Sequence, residues 1–512
     1  MTNVTSIVSR GTSGPADSRD AQAIIKESRS NEVFFAVVGP AGAGGSRVIS
    51  ALERAVRAAK YTAVPIKAST CIRDWATAQG RPLVGGDHKS LEMVTQLQDY
   101  GDEMREADRA AVARALVQQI ASARARAMKI DYKPGTAVQP DAERRAYLID
   151  SIRHPAEINL LRSTYGDAFA LIGVVCQEEE RTRRVLEKYF TGPQRLQPEN
   201  VRRAKDFIRR DSDDTDKKHG QHVSDAFHQA DYFVDNTRSD PTDDNRYLDD
   251  SLSRLVNIVT HSEVVRPRIE ETAMHHAHSA RVRSACLSRQ VGAALTDQAG
   301  TVVATGVNEV PRAGGGVYGE HFAAKHPPND ERCAFRLTKF CSSNRAQNAI
   351  IEELIAHLPE LSDSQDRINL AKRIRETRLG GLIEFSRAVH AEMDAILSAG
   401  RSGISTIGTR LFVTTFPCHY CARHIVSAGV YEVQYIEPYP KSKALDLHDD
   451  AICIVPDDWT PPEQISIADE RRLTEAPPEG RVLFRPFEGV APRLYQRAFE
   501  KTWGLKDKVS GE

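Results

Sequence analysis

The sequence predicts an α/β protein in two parts: a parallel sheet with flanking helices in its first half and a smaller α/β sandwich in its second. Two patterns carry the prediction. Short apolar runs, β-branched or aromatic, alternate with helix-length stretches of near-3.6-residue periodicity, which is how strands and helices of a parallel sheet read. A charge-dense stretch from Phe207 to Asp250 then separates this series from a second one.

In chain order, residues 1–30 are rich in Ser, Thr, Gly and Asp and read as a flexible leader. Val33–Pro40 (VFFAVVGP) is too brief for a helix and reads as a buried strand closed by glycines. Val48, Ile49, Leu52, Val56 and Ala59 predict a helix over Gly45–Lys60, and Tyr61–Ile66 a second strand. Leu91–Met128 is Ala-, Arg- and Gln-rich and helical, with strands expected at Tyr147–Asp150, Phe169–Val175 and Tyr232–Val234. Arg209, Arg210 and Asp211 open a charged run that reads as a lid or as a solvated segment. Ile258–Cys286 is a helical entry to the second part. Val291–Leu295 and Val302–Thr305 make a hairpin across Asp297–Gly300, and Gln347–Thr377 is a helical insert. Helix His390–Leu397, strand Leu411–Thr415, helix Cys421–Ser427 and strand Val433–Ile436 complete the series. The expected organisation is thus a leader (1–30), a first domain (31–250) and a second (251–512).

Composition bounds the function. The chain has 512 residues, 69 Lys+Arg against 70 Asp+Glu, a net charge of -1 and eight cysteines. At about 150 residues per domain this allows roughly two to four domains. Near-neutrality argues against a dedicated duplex-binding protein, which needs a basic excess to meet phosphates. No stretch approaches the ~20 apolar residues of a membrane helix, and the N-terminus lacks the pattern of a secretory signal. The cysteines are too sparse for a disulfide framework, so a reducing cytoplasm is expected, where clustered cysteines read as metal or catalytic groups.

One such cluster stands out: His390-Ala391-Glu392, then Pro417-Cys418-His419-Tyr420-Cys421. Zn²⁺ takes imidazole nitrogen and thiolate sulfur tetrahedrally, and a catalytic site leaves its fourth position to water. His390, Cys418 and Cys421 supply three ligands, the two cysteines from a helix start where the backbone dipole favours thiolate. Glu392 is placed to reach the water without ligating the metal. The alternative is a zinc knuckle completed by Cys333 and Cys341, with Glu392 a solvated carboxylate. The H-x-E…P-C-x-x-C pattern resembles that of the zinc-dependent nucleobase deaminases, in which the ion activates water for attack at C4 of cytosine and the glutamate shuttles the proton.

The resemblance extends further. Ser288-Arg289-Gln290-Val291-Gly292-Ala293 leads into the hairpin, and Gly306-Val307-Asn308 and Pro311 leave it, as in the deoxycytidylate deaminase family. It implies a cytidine-deaminase-like αβα sandwich, sugar contact by Asn308 and phosphate contact by Arg289; the alternative readings are a turn residue for Asn308 and a surface charge for Arg289. Glu384–Val389 and Tyr435–Ala444, with an N-terminal nucleotide-kinase-like domain, are similar to bacterial anti-phage deoxycytidine nucleotide deaminases, which deplete dCTP during infection. In the second segment Lys441 and Lys443 read as phosphate contacts or a solvated pair, and Tyr439 as a cover for base or sugar or as a structural tyrosine. Cys333 and Cys341, with His321 and His326, match no standard metal spacing, so the second zinc that some deoxycytidylate deaminases carry stays open.

Gly39-Pro40-Ala41-Gly42-Ala43-Gly44-Gly45-Ser46 lies between strand and helix, where a P-loop (G-x-x-x-x-G-K-[ST]) would. Gly39, Gly42, Gly44 and Ser46 fit an anion cradle, but Gly45 stands at the lysine position. Backbone N–H groups can still hold phosphate, while phosphoryl transfer loses its principal cation unless Arg47 or a lid arginine replaces it. Asp150, at a strand end, is the candidate for orienting Mg²⁺ or caps the next turn. The expected reading is a P-loop nucleotide-kinase-like parallel-sheet domain that binds a regulatory nucleotide or scaffolds the deaminase.

The leading function is therefore zinc-dependent deamination of dCTP or dCMP, with a housekeeping dCMP deaminase supplying dUMP, or a nucleotide-sensing regulator, as alternatives. A nucleic-acid editor would need an aromatic, basic strand channel, and only 6% of residues are aromatic. The family resemblance also implies a homo-oligomer.

Overall fold

The computed structural model describes residues 30–83, 90–212, 220–237, 246–319, 330–358, 361, 366–439, 441–455, 459–462 and 480–501. All of the expected leader but Ser30, the centre of the charged run (213–219), and His321 and His326 lie outside the described residues.

Two six-stranded sheets organise the chain, both mixed α/β and rich in parallel pairs. In the first are β1 (Val33–Val38), β2 (Thr62–Lys67), β3 (Arg145–Ile152), β4 (Phe169–Val175) and β5 (Tyr232–Asp235). The second holds β6 (Gly292–Thr296), β7 (Val302–Val307), β8 (Arg410–Thr415), β9 (Glu432–Glu437), β10 (Ile452–Cys453) and β11 (Val482–Pro486), and β12 (Gly489–Val490) returns to the first. The orders are β12-β5-β4-β1-β3-β2 and β10-β11-β9-β8-β6-β7. β1 lies at the centre, parallel to β3 on one side and β4 on the other, and all six of its residues are buried. A strand covered on both faces has no use for alternation, which is why it reads as a continuous apolar run.

On one face Val33, Phe35 and Val37 meet Val48, Ile49 and Leu52 of helix Gly45–Ala58; on the other Phe34, Ala36 and Val38 share a core with Leu116 and Ile120 of helix Ala111–Met128. In the second sheet β6 runs antiparallel to β7 and β8, while β8, β9, β11 and β10 are parallel. Helices Ala391–Arg401 and His419–Ser427 cover one face, and Ala273, Met274 and Ala277 of helix Ile269–Arg281 join Ala294 and Phe412 on the other. The hairpin turns as expected at Asp297–Gly300, with Gly300 at φ 86°.

The boundary at 250/251 meets a different arrangement. It cuts helix Arg246–Thr260, whose Leu248, Leu252, Leu255 and Val256 pack on the first sheet beside Leu494 and Ala498 of helix Pro492–Phe499. β12 pairs antiparallel with β5, so the end of the chain returns to the first sheet rather than staying with the second. The apolar stripes of these two helices leave them no other place to be buried. Buried Glu271 fastens the crossing: its carboxylate accepts from Arg254 (2.6 and 2.7 Å), Arg268 N (2.7 Å) and Val490 N (2.8 Å).

One close approach sets the position of the site. A Cβ on Gly306 of β7 would lie 2.1 Å from Ala391 O and 2.3 Å from Ala395 N, so helix Ala391–Arg401 rests directly on the strand backbone. Gly306→Ala is expected to destabilise by about 2–3 kcal/mol through overpacking and to lower kcat by moving the helix that carries Glu392. Thermal melting with a rate assay checks both, and an unchanged melting temperature would refute the contact.

Candidate active site

His390 is extended (φ −79°, ψ 156°) and immediately precedes helix Ala391–Arg401, which places Glu392 in the first turn. Cys418 precedes helix His419–Ser427 in the same way, and Cys421 lies one turn along, so the helix begins two residues earlier than its periodicity suggested. The His390, Cys418 and Cys421 ligand atoms all lie within 4.8 Å of one another. His390 Nδ1 is 3.2 Å from Cys418 Sγ and 3.4 Å from Cys421 Sγ. A tetrahedral zinc with bonds of about 2.05 Å to nitrogen and 2.3 Å to sulfur holds those atoms about 3.5 Å apart. The residues fit the ion. Among the described residues they are the one such cluster of three or more His, Cys, Asp or Glu side chains.

The electrostatics suit the same reading. The hydrogen bond from the Cys421 side chain, then that from His390, brings the Cys418 thiol down to about 4, so it is readily a thiolate. Burial is the main cause pushing the Glu392 carboxyl up to about 7, with the negative Cys418 adding to it. A carboxyl near neutrality can both take and return a proton, as general acid–base work requires. Asp394 accepts from Val307 N (3.1 Å), which fixes the helix turn against β7.

A cavity of about 180 Å³ opens on His390, Glu392 and Cys418, and Asn308, Arg289 and Tyr439 also line it. Asn308 is buried and spends its amide on the chain: Nδ2 donates to Arg289 O (2.5 Å) and Oδ1 accepts from Val291 N (2.6 Å). It thereby shapes the wall that presents Arg289. Arg289 is half exposed and ion-paired to Glu437 at 3.0 Å. Burial raises the Tyr439 hydroxyl. Lys441 is exposed and not among the lining residues, and Lys443 pairs with Asp446 at 2.7 Å, so the structure does not bring these lysines to the cavity.

Sequence reasoning missed Ser343, on helix Ser342–His357, and Ile383 and Ser386, in the segment that leads to His390, all of which line the cavity, and Glu437, which holds both Arg289 and Arg281. Glu437 lies in the quoted segment Tyr435–Ala444, but nothing local marks it as facing two arginines. Cys333 and Cys341 line a smaller neighbouring cavity with Cys286, away from the zinc cluster, and the knuckle alternative falls with that separation.

In the first sheet the glycine loop stands where its pattern put it, between β1 and helix Gly45–Ala58, with Gly42 and Gly44 both at φ 83°. Gly39, Gly42, Gly44, Gly45, Ser46 and Asp150 all line one cavity there. Arg47 turns to Asn236 Oδ1 (3.1 Å) and is not among the lining residues, whereas Arg153 and Arg184 are. Asp211 is no solvated charge: it is buried, accepting from Ala41 N and from Arg153 at 2.7 Å each.

An imidazole and two cysteine sulfurs around one point, a buried carboxyl beside them and a cavity above define a zinc-binding deaminase centre. Comparison with known proteins agrees. Residues 267–437 match the family model described as the cytidine and deoxycytidylate deaminase zinc-binding region. The deoxycytidylate deaminase of Enterobacteria phage T4 is 32% identical over 176 residues, covering 34% of this chain and 79% of that protein. Its counterpart from phage T2 is also 32% identical, with 81% of its length covered. The chain belongs to the deoxycytidylate deaminase family. Among solved structures, dCMP deaminase from the cyanophage S-TIM5, in complex with dCMP and dUMP, aligns at 22% identity over 36% of this chain and 93% of its own, with a TM-score of 0.22.

Proposed function

We propose that the protein hydrolytically deaminates deoxycytidine nucleotides, dCMP and dCTP, to the deoxyuridine forms and ammonia. The observation that carries the reading is buried Glu392 beside three converging zinc ligands at the floor of a cavity. When bound, zinc supplies water made acidic enough to react at neutral pH. The chain's own residues do the rest. Glu392 takes a proton from the incoming water and passes it to N3 of the base as the water oxygen bonds to C4; it then takes the remaining proton of the new C4 hydroxyl and passes it to N4, so that the C4–N4 bond breaks, ammonia leaves and a C4 carbonyl remains. Asn308 holds the wall over the sugar, and Tyr439 closes the side.

Arg289 is proposed as the phosphate contact, aimed by Glu437. Arg289→Ala is then expected to lower kcat/KM for dCMP by ten- to a hundredfold, the loss of a charge-assisted hydrogen bond, and to leave deoxycytidine, which has no phosphate, unaffected. Equal losses on both substrates would remove Arg289 from that role.

The resemblance to anti-phage deaminases supports a role in depleting dCTP during infection, in the cytoplasm and as a homo-oligomer. The housekeeping alternative predicts dCMP turnover without loss of dCTP. Ammonia release from dCMP and dCTP, followed by nucleotide pools after phage infection, separates the two. The glycine loop is proposed to bind a phosphate anion, with Asp150 the carboxylate available to any Mg²⁺ that enters with it.

A further inference from the structure

The glycine-loop cavity, about 410 Å³, contains more than an anion cradle. Two of its lining side chains, Gln98 and Gln221, are 8% and 2% exposed, and the carbonyl oxygen of each is buried with no hydrogen-bond partner. The orientation of the Gln98 amide is not arbitrary. Gln98 Nε2 donates to Asp211 Oδ1 at 3.1 Å, and turning the amide over would set its oxygen against that carboxylate. Asp211 is in turn pinned by Ala41 N and Arg153. The cavity therefore presents two acceptors that nothing in the fold satisfies, and buried acceptors left unmade are costly. What they ask for is a molecule with N–H donors.

Ile72, Leu97 and Phe207 give the same cavity an apolar wall, suited to a flat ring. The same cavity is lined by the glycine loop and the first turn of the 14-residue helix Gly45–Ala58, which favour an anion. Arg153, bonded to Gly39 O at 2.8 Å, and Arg184, bonded to Asn236 O at 2.7 Å, line the cavity and are fixed close to the loop. Anion, flat apolar body and N–H donors belong together in one class of small molecule. We infer that this cavity is a second nucleotide site, binding a nucleoside 5′-phosphate with its phosphate on the glycine loop and the N–H edge of its base on Gln98 and Gln221. The inference rests on the anion-binding reading of the loop and adds the base.

The test uses the full-length, zinc-loaded chain carrying Glu392→Gln, so that bound nucleotide is not turned over. Equilibrium dialysis with AMP, GMP, dTMP and dCMP is compared with ribose 5-phosphate, which has no base. At least one nucleotide should bind at least tenfold more tightly than ribose 5-phosphate, dCMP being scored as a second equivalent beyond that at the deaminase site. Gln221→Met, which breaks no internal hydrogen bond, should weaken that nucleotide about tenfold without changing the melting temperature; Gln98→Met gives an independent second reading. A Cβ at Gly45 meets only Val37 Cγ1 at 3.5 Å and Asp150 Oδ1 at 3.9 Å, so Gly45→Glu should fold and place a repelling carboxylate in the cradle, abolishing binding of nucleotide and ribose 5-phosphate alike. If ribose 5-phosphate binds as tightly as every nucleotide and Gln221→Met changes nothing, base recognition is wrong while the anion site stands. If no ligand binds beyond one dCMP at the deaminase site, both readings fall, as they do if nucleotide binding survives both Gly45→Glu and Gln221→Met.

Discussion

Glu392→Gln is expected to leave the zinc content at one ion per chain and to reduce kcat on dCMP by two to four orders of magnitude. The substitution keeps the size and burial of the side chain and touches none of His390, Cys418 and Cys421, whose mutual distances define the metal position. What it removes is the only property the proposed reaction takes from this residue, a carboxyl that exchanges a proton near neutral pH. Burial is what puts it in that range, at about 7, and an amide in the same place neither accepts a proton from water nor delivers one to N3. The contribution of a positioned general acid–base group is about 10²–10⁴ in rate. Metal analysis of the purified variant beside ammonia release decides the matter. Full activity with zinc retained would exclude Glu392 as the proton carrier; lost zinc would mean that it acts on the metal position instead.

The parts of this protein that were legible in its sequence share a physical reason. β1 is a run of six buried residues ended by glycines, and helix Gly45–Ala58 buries one stripe, so burial and periodicity wrote both directly into the residues. The zinc ligands were legible because coordination chemistry tolerates so few residue types at so few spacings. Helix Ala68–Ala78 went unread because it follows β2 without a break and begins with no side-chain cap. β10 and β12 have two residues each and exist only because a partner strand is there to receive them. The return of the chain to the first sheet left a fainter signal. Pro492 opens a helix, and Leu494 and Ala498 lie four apart on it, a pattern that marks a helix start but not the sheet it will cover. Lys441 and Lys443 carry an ambiguity that sequence leaves open: positive charge near a motif suggests phosphate, but on an exposed segment a lysine can be taken by a neighbour such as Asp446. The unpartnered carbonyls of Gln98 and Gln221 had no sequence signal at all, since only the folded cavity shows that nothing answers them.

Cys421→Ser should abolish activity and zinc binding together, and its structural effect should stop at the second sheet. Cys421 is fully buried against Ala391, Ala395 and Ala422, and its sulfur converges with Cys418 on His390. A serine hydroxyl does not ionise near neutral pH, so the variant keeps two ligands where a catalytic zinc site uses three. The ion would otherwise tie the start of helix Ala391–Arg401 to the start of helix His419–Ser427, the two helices that cover one face of that sheet. Without it, amide hydrogen exchange should quicken in the first turns of both helices. β1, β3 and β4 should keep their protection, because their core is built from Phe34, Phe35, Leu148 and Ile172 and includes no metal ligand. Removing zinc from the unmodified chain with a chelator should give the same pattern, reversed by added Zn²⁺; in Cys421→Ser the added ion should restore neither protection nor rate. Exchange that quickened equally in both sheets would mean that the ion stabilises the whole chain. Activity in Cys421→Ser restored by excess Zn²⁺ would show that two ligands suffice, and the three-ligand centre would have to be abandoned.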